Sequence, residues 1–160
     1  LPPNERMLRF RQGEGYQELL SEAAKPIVLF GVHAYDILGI AILDRVFGSG
    51  RYPDPYYATR RRHTTIVGID FAPDSLHFCP SMNADWVESG FDLFLSDIGT
   101  HYLVLVGTSR GDDIVELSGC LLEEPTGDDF AEYKHRSPKR RAAYATEVEI
   151  GDLPGILEME

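Results

Sequence analysis

The stretch Ile27-Val28-Leu29-Phe30-Gly31-Val32-His33-Ala34-Tyr35-Asp36-Ile37-Leu38-Gly39-Ile40-Ala41-Ile42-Leu43-Asp44-Arg45-Val46-Phe47-Gly48 decides the fold class. It opens on a continuous apolar run, 27–30, of the kind found in strands buried on both faces of a parallel sheet. Asp36 is a residue type that caps helix N-termini. The segment after it reads as a helix to Phe47, apolar nearly all round, with Gly48 to end it. Its apolar surface needs cover on more than one side, from this domain or from a partner subunit. A second apolar run, Thr64-Thr65-Ile66-Val67-Gly68-Ile69, repeats the strand signal. Strand, helix and strand in that order form a β-α-β unit with a right-handed crossover, and the two strands are expected as neighbouring parallel central strands. The expected fold class is α/β, with a central, partly parallel sheet, flanking helices and an antiparallel hairpin.

Outward from that unit the signals are more local. Residues 1–15 read as an irregular lead-in. Tyr16, Leu19, Leu20, Ala23 and Ala24 fall at helical spacing, which predicts an amphipathic helix over 15–24, broken by Lys25-Pro26. Residues 48–62 read as a loop. Residues 91–96 and 102–106 are expected to pair antiparallel through a turn at Asp97-Ile98-Gly99-Thr100. Residues 114–122 fit a strand or a short helix. Asp128-Asp129 suits the cap of a helix over 130–135, and Ser137-Pro138 the start of another, with proline at its first position. No repeat or low-complexity segment interrupts the chain.

The chain has 160 residues, 43% of them apolar and 26% charged, which suits one soluble globular domain over 1–160. A net charge of −11 argues against a grip on nucleic acid, which needs a concentrated basic face. The basic run Lys139-Arg140-Arg141 reads as a solvated helix face. No apolar run approaches the roughly 18 residues of a membrane span. Two cysteines, Cys79 and Cys120, are too few for a disulfide framework. With no secretory signal in the sequence, a cytoplasmic location is expected. The chain starts at Leu1 rather than Met and stops at Glu160 inside an apparent helix start, as expected of a segment of a longer chain.

Two loops carry the chemical interest, because ligands of open α/β sheets bind at the C-terminal ends of the strands. His33 and Asp36 follow the first apolar run; Asp74, His77 and Cys79 follow the second. In an extended loop His77 and Cys79 point to the same side, so one imidazole and one thiolate could share a metal such as zinc, with His33, Asp36 or Asp74 beside them. The alternative is a hydrogen-bonded structural histidine next to a buried free thiol. Cys79 as a nucleophile lacks a visible orienting group. Tyr52, Tyr56 and Tyr57 with Arg60, Arg61 and Arg62 form an aromatic-basic cluster. Such a cluster holds an anionic or flat ligand, docks a partner, or clamps its own loop by tyrosine burial. Gly48-Ser49-Gly50 lacks the order of a phosphate loop, and there is no Walker or H-E-x-x-H motif.

These residues resemble the β-subunit family of cytoplasmic sulfhydrogenases, nickel-iron hydrogenases of the sulfur-reducing type, a group that includes an iron-sulfur electron-transfer subunit of anaerobic sulfite reductase. The likeness is carried by Leu1-Pro2-Pro3, Leu8-Arg9-Phe10, Leu29-Phe30-Gly31-Val32-His33-Ala34-Tyr35-Asp36, Leu43-Asp44-Arg45-Val46-Phe47, Asp54-Pro55-Tyr56-Tyr57 with Arg60-Arg61, Gly90-Phe91-Asp92-Leu93-Phe94-Leu95 and Val106-Gly107-Thr108-Ser109-Arg110-Gly111. The family's first loop usually reads L-F-G-V-R-P-C-D, and its second C-x-x-P-x-x-x-C-F-C-x-S-M. Here Tyr35, Phe71 and His77 stand at three of the cysteine places and Cys79 alone is kept.

The resemblance implies an electron-transfer subunit domain of a multi-subunit oxidoreductase, followed by a ferredoxin-like domain with iron-sulfur clusters in the parent chain. The missing thiolates imply that no cluster sits in this segment, since a cluster commonly takes four. A cluster-less scaffold or protein-interaction domain derived from the same family is the alternative. Other subunits of such a complex are the expected partners.

Overall fold

The computed structural model describes residues 6–19, 25–149 and 151. The sequence unit that decided the fold class is present. Strand β3 (Ile27–Val32), helix α1 (Ala34–Phe47) and strand β4 (Thr64–Ile69) follow one another, and β3 and β4 pair in parallel. Strand β5 (Leu93–Asp97) joins β4 in parallel, and β6 (Tyr102–Val106) returns antiparallel to β5, giving the order β3-β4-β5-β6. The mixed four-stranded sheet with its helices is an α/β fold.

The first apolar run is placed differently from expectation. β4 is buried along most of its length, but β3 is the edge of the sheet rather than a central strand, and residues 27–30 are exposed. A continuous apolar run looks the same at an edge as at the centre; only the neighbours differ. Gly31, at φ +78, lies where the pairing register shifts between Phe30 and Val32, a bulge that bends the chain toward α1.

α1 ends at Gly48 as expected, but begins earlier than the Asp36 cap implied. His33 is the N-cap, and its carbonyl accepts from the amides of Asp36 and Ile37. Asp36 lies in the first turn, where its charge complements the helix dipole. The residues read as a loop after α1 include helix α2 (Pro55–Arg62). Asp54 caps it by accepting from the amides of Tyr56 and Tyr57, with Pro55 at the start.

The lead-in and the helix expected over 15–24 are corrected in part. β1 (Leu8–Arg11) and β2 (Gly15–Glu18) form an antiparallel hairpin in which Phe10 faces Tyr16. Gly13 and Gly15 take positive φ, which a hairpin turn uses and a helix does not. Residues 20–24 of the expected helix lie outside the described residues.

Residues 114–121 resolve as helix, within α3 (Ser109–Ser118) and a following 3-10 turn (Gly119–Leu121), and Leu122 is extended. The two short helices expected after Asp128 are one, α4 (Gly127–Ala142), with Pro138 inside it. Its cap is Thr126, in a reciprocal capping box with Asp129.

The core lies between α1 and the sheet: Ala34, Ile37, Ile66, Val87, Phe91 and Phe94, with Trp86 against it. Gly68 permits this packing, because a Cβ there would stand 2.4 Å from the Phe94 ring and 3.0 Å from Ile37. Asp92 is the buried polar junction. Its carboxylate accepts from the Ile66 amide (2.8 Å) and the Thr108 hydroxyl (2.5 Å), and its carbonyl accepts from the Gly107 amide (2.9 Å). One residue thus joins β4, the start of β5 and the cap of α3.

Two substitutions test this account by urea unfolding. Asp92→Ala leaves the buried Ile66 amide without its acceptor and should cost about 1–3 kcal/mol. Gly68→Ala overpacks the α1–sheet contact and should cost a similar amount, about 1–3 kcal/mol. Unchanged midpoints would show that neither contact bears on stability.

Candidate functional site

The two loops singled out in the sequence meet at the C-terminal ends of β3 and β4. His33 follows β3 and Tyr35 sits in the first turn of α1. Phe71 follows β4, and His77 and Cys79 lie on the loop beyond it. The Phe71 ring is the common contact. Its centroid stands 4.5 Å from His33, 4.8 Å from His77, 5.7 Å from Tyr35 and 6.3 Å from Tyr144, which follows α4.

Both imidazoles are held from behind. His33 Nδ1 lies 3.3 Å from the Ile69 carbonyl, and His77 Nδ1 lies 2.7 Å from the Asp74 carboxylate. The Leu76 amide, foremost, and His77 hold the Asp74 carboxyl below its usual range. Burial pushes the Cys79 thiol up, against an opposing contribution from the Tyr144 hydroxyl. A reactive thiolate requires the opposite shift. Burial, followed by the charges of Asp36 and Cys79, pushes the Tyr35 hydroxyl up. Tyr144 is pushed up to about 12, first by burial. Asp36 itself is exposed. Among the described residues, no three His, Cys, Asp or Glu side chains are grouped to hold a metal ion.

The chain is 39% identical over 132 residues to a protein of Pyrococcus furiosus described as sulfhydrogenase 2 subunit beta. The chain belongs over this segment to the sulfhydrogenase β-subunit family. The match covers 82% of this chain and 39% of the relative, so the chain spans about two fifths of that protein's length. No protein-family model and no solved structure matches the chain.

Counted back from Pro73, the first cysteine place of the second pattern is Asp70 rather than Phe71; the others are Tyr35, His77 and Cys79, and the fold brings Tyr35 and His77 into ring contact with Phe71. This donor set does not fit a four-iron cluster. Cys79 is the only thiol among the four, the Asp70 carboxylate is engaged by Arg140 and Ser96, and the Phe71 ring between Tyr35 and His77 can donate to no metal.

The aromatic-basic cluster lies elsewhere, on α2. Tyr56 is buried, and its hydroxyl donates to the Met7 carbonyl of the N-terminal hairpin segment, as the clamping alternative had it. Tyr57 donates to Asp44 on α1 at 2.6 Å, and Arg61 Nε reaches both oxygens of the same carboxylate at 3.1 Å. Arg60 and Arg61 line a groove with Ile27, Leu29, Ile40 and Leu43, beside the starts of β3 and β4. The candidate residues therefore form two groups: His33, Asp36, His77 and Cys79 at one end of the strands, and Tyr56, Tyr57, Arg60 and Arg61 toward the other.

Sequence reasoning missed the group that anchors α4. Asp70, at the end of β4, pairs with Arg140 and accepts from the Ser96 hydroxyl at 2.5 Å. Arg140 also donates to the Asp97 carbonyl at 2.6 Å, and Arg141 pairs with Asp85. The run 139–141 is thus turned inward at Arg140, contrary to its reading as a solvated face. An aspartate ending a buried strand was the available signal.

Tyr57 supplies a pH test. It is pushed up to about 12, first by burial and then by the hydrogen bond and charge of Asp44, with Arg61 opposing. A phenol titrates near 10 in the unfolded chain, so the contribution of Tyr57 is complete below about pH 10 and is lost as pH rises toward about 12. The stability advantage of the native protein over Tyr57→Phe should be constant below pH 10 and fall above it. A pH-independent difference in unfolding midpoint would refute this.

Proposed function

We propose that this segment is the electron-transfer subunit domain of a multi-subunit oxidoreductase, positioning iron-sulfur clusters held elsewhere in the parent chain against a catalytic partner. The observation that carries the proposal is the 39% identity to a sulfhydrogenase β subunit over 132 residues. No helix among the described residues is long and apolar enough to cross a membrane, which suits the cytoplasmic location expected of such a subunit. In this reading the segment itself holds no cluster. The Phe71 group supports that part, because side-chain packing occupies the place where thiolates would converge.

A second reading draws on the same group: a scaffold whose parent chain has also lost its clusters. Iron and acid-labile sulfide content separates the two. Under the electron-transfer reading the full-length protein contains both, with an absorbance band at about 400 nm that dithionite bleaches. The scaffold reading requires neither iron nor sulfide. In either case, a variant lacking every cysteine beyond Glu160 should show no residual band. A band surviving that change would overturn the cluster-free reading of this segment.

A further inference from the structure

We propose that α4, with the chain leading from it to Glu149, is a strap that opens as one unit over the C-terminal ends of the parallel strands while the sheet stays folded. Opening uncovers the Phe71 group and Cys79, at the end of the sheet where ligands of open α/β folds bind. This goes beyond the subunit reading and does not depend on it.

The composition of the helix sets its weak hold. Most helices in proteins are stabilised by an apolar face packed on a core. α4 offers such a face only Phe130, Ala131, Tyr133 and Ala142, and no residue of it is fully buried. Phe130 is itself exposed. Pro138 withholds one hydrogen bond from the helix ladder. A segment with few buried apolar contacts opens at lower free energy than the core. β4, buried along most of its length, sets the contrast.

The attachments of the strap are mainly polar. At the start of the helix, His101 Nε2 stands 3.0 Å from the Asp129 carboxylate. Arg136, paired with Glu132 of its own helix, lies over Gly99 of the β5–β6 turn. At the end, Arg140 grips Asp70 and the Asp97 carbonyl, and Arg141 pairs with Asp85 at 2.5 Å. Beyond the helix, Tyr144 lies against Phe71 and its hydroxyl meets the Cys79 thiol. Thr146 donates to the Ser75 carbonyl at 2.5 Å, and the Val148 amide donates to the Ser81 hydroxyl at 2.9 Å. His101 and Arg141 are more than half exposed, so salt screens their pairs. Arg140, largely enclosed, is the principal tie. Closed, the strap leaves a cavity of about 10 Å³ against Asp70, Phe71, Asp85 and Trp86, room for about one water.

The test uses the full-length protein. Native-state hydrogen exchange is read at the α4 and β4 amides, and alkylation of Cys79 by iodoacetamide is followed by peptide mass spectrometry. The α4 amides should exchange well before those of β4, and faster as salt is raised. Cys79 alkylation should accelerate with salt by the same factor. Arg140→Gln removes the enclosed charge and should raise both rates at least about tenfold, with α4 still exchanging before β4. His101→Ala, which leaves Asp70 paired, should raise both by a smaller factor. Exchange of α4 and β4 at one rate would mean that the helix opens only when the whole domain unfolds, and would overturn the proposal. So would a Cys79 alkylation rate that stays constant while α4 exchange speeds up.

Discussion

The ion pair between Asp70 and Arg140 holds α4 against the C-terminal ends of the parallel strands. α4 has no fully buried residue, so little hydrophobic burial fixes it to the sheet. Arg140 does so instead, by gripping the carboxylate that ends β4 and the carbonyl that ends β5. Ser96, wholly buried on β5, satisfies the same carboxylate. Enclosing charged groups is costly unless they are paired and hydrogen-bonded, and here both are. The chain leaving α4 then carries Tyr144 onto Phe71 and toward Cys79. The loop after β4, the end of α4 and the first turn of α1 are thereby one assembly.

Much of the architecture was legible where a single physical signal dominated. The apolar run 64–69 identified a buried strand, and the apolar stretch to Phe47 identified α1 and its end at Gly48. Placing the two loops at strand C-termini followed from those runs. The failures came where position in the tertiary structure decides the outcome. Nothing within residues 27–30 distinguishes an edge from a centre. Pro53 and Pro55 made the segment before Arg62 read as a loop, although Asp54-Pro55 is a cap followed by a favourable first helical residue. Pro138 suggested a break, yet α4 runs through it, with Arg140 and Arg141 pinning the final turn to Asp70 and Asp85.

The candidate residues illustrate a similar limit. Spacing suggested that His77 and Cys79 share a side, but could not reveal that Phe71 joins His33, His77 and Tyr35 through ring contacts. That arrangement depends on three segments meeting. Likewise, Tyr56 and Tyr57 are adjacent in sequence and have different tasks: one clamps the N-terminal segment, the other holds Asp44 on α1.

The bulge at Gly31 has a consequence for the solubility of the chain. Dry cross-β stacking generally recruits six or seven consecutive extended residues of low charge. Between Pro26 and Gly31 the exposed apolar edge offers only Ile27, Val28, Leu29 and Phe30. Proline withholds a donor at one boundary and the positive φ of glycine turns the backbone away at the other. The bulge thus shortens the regular, flat part of β3 on which another extended chain could stack.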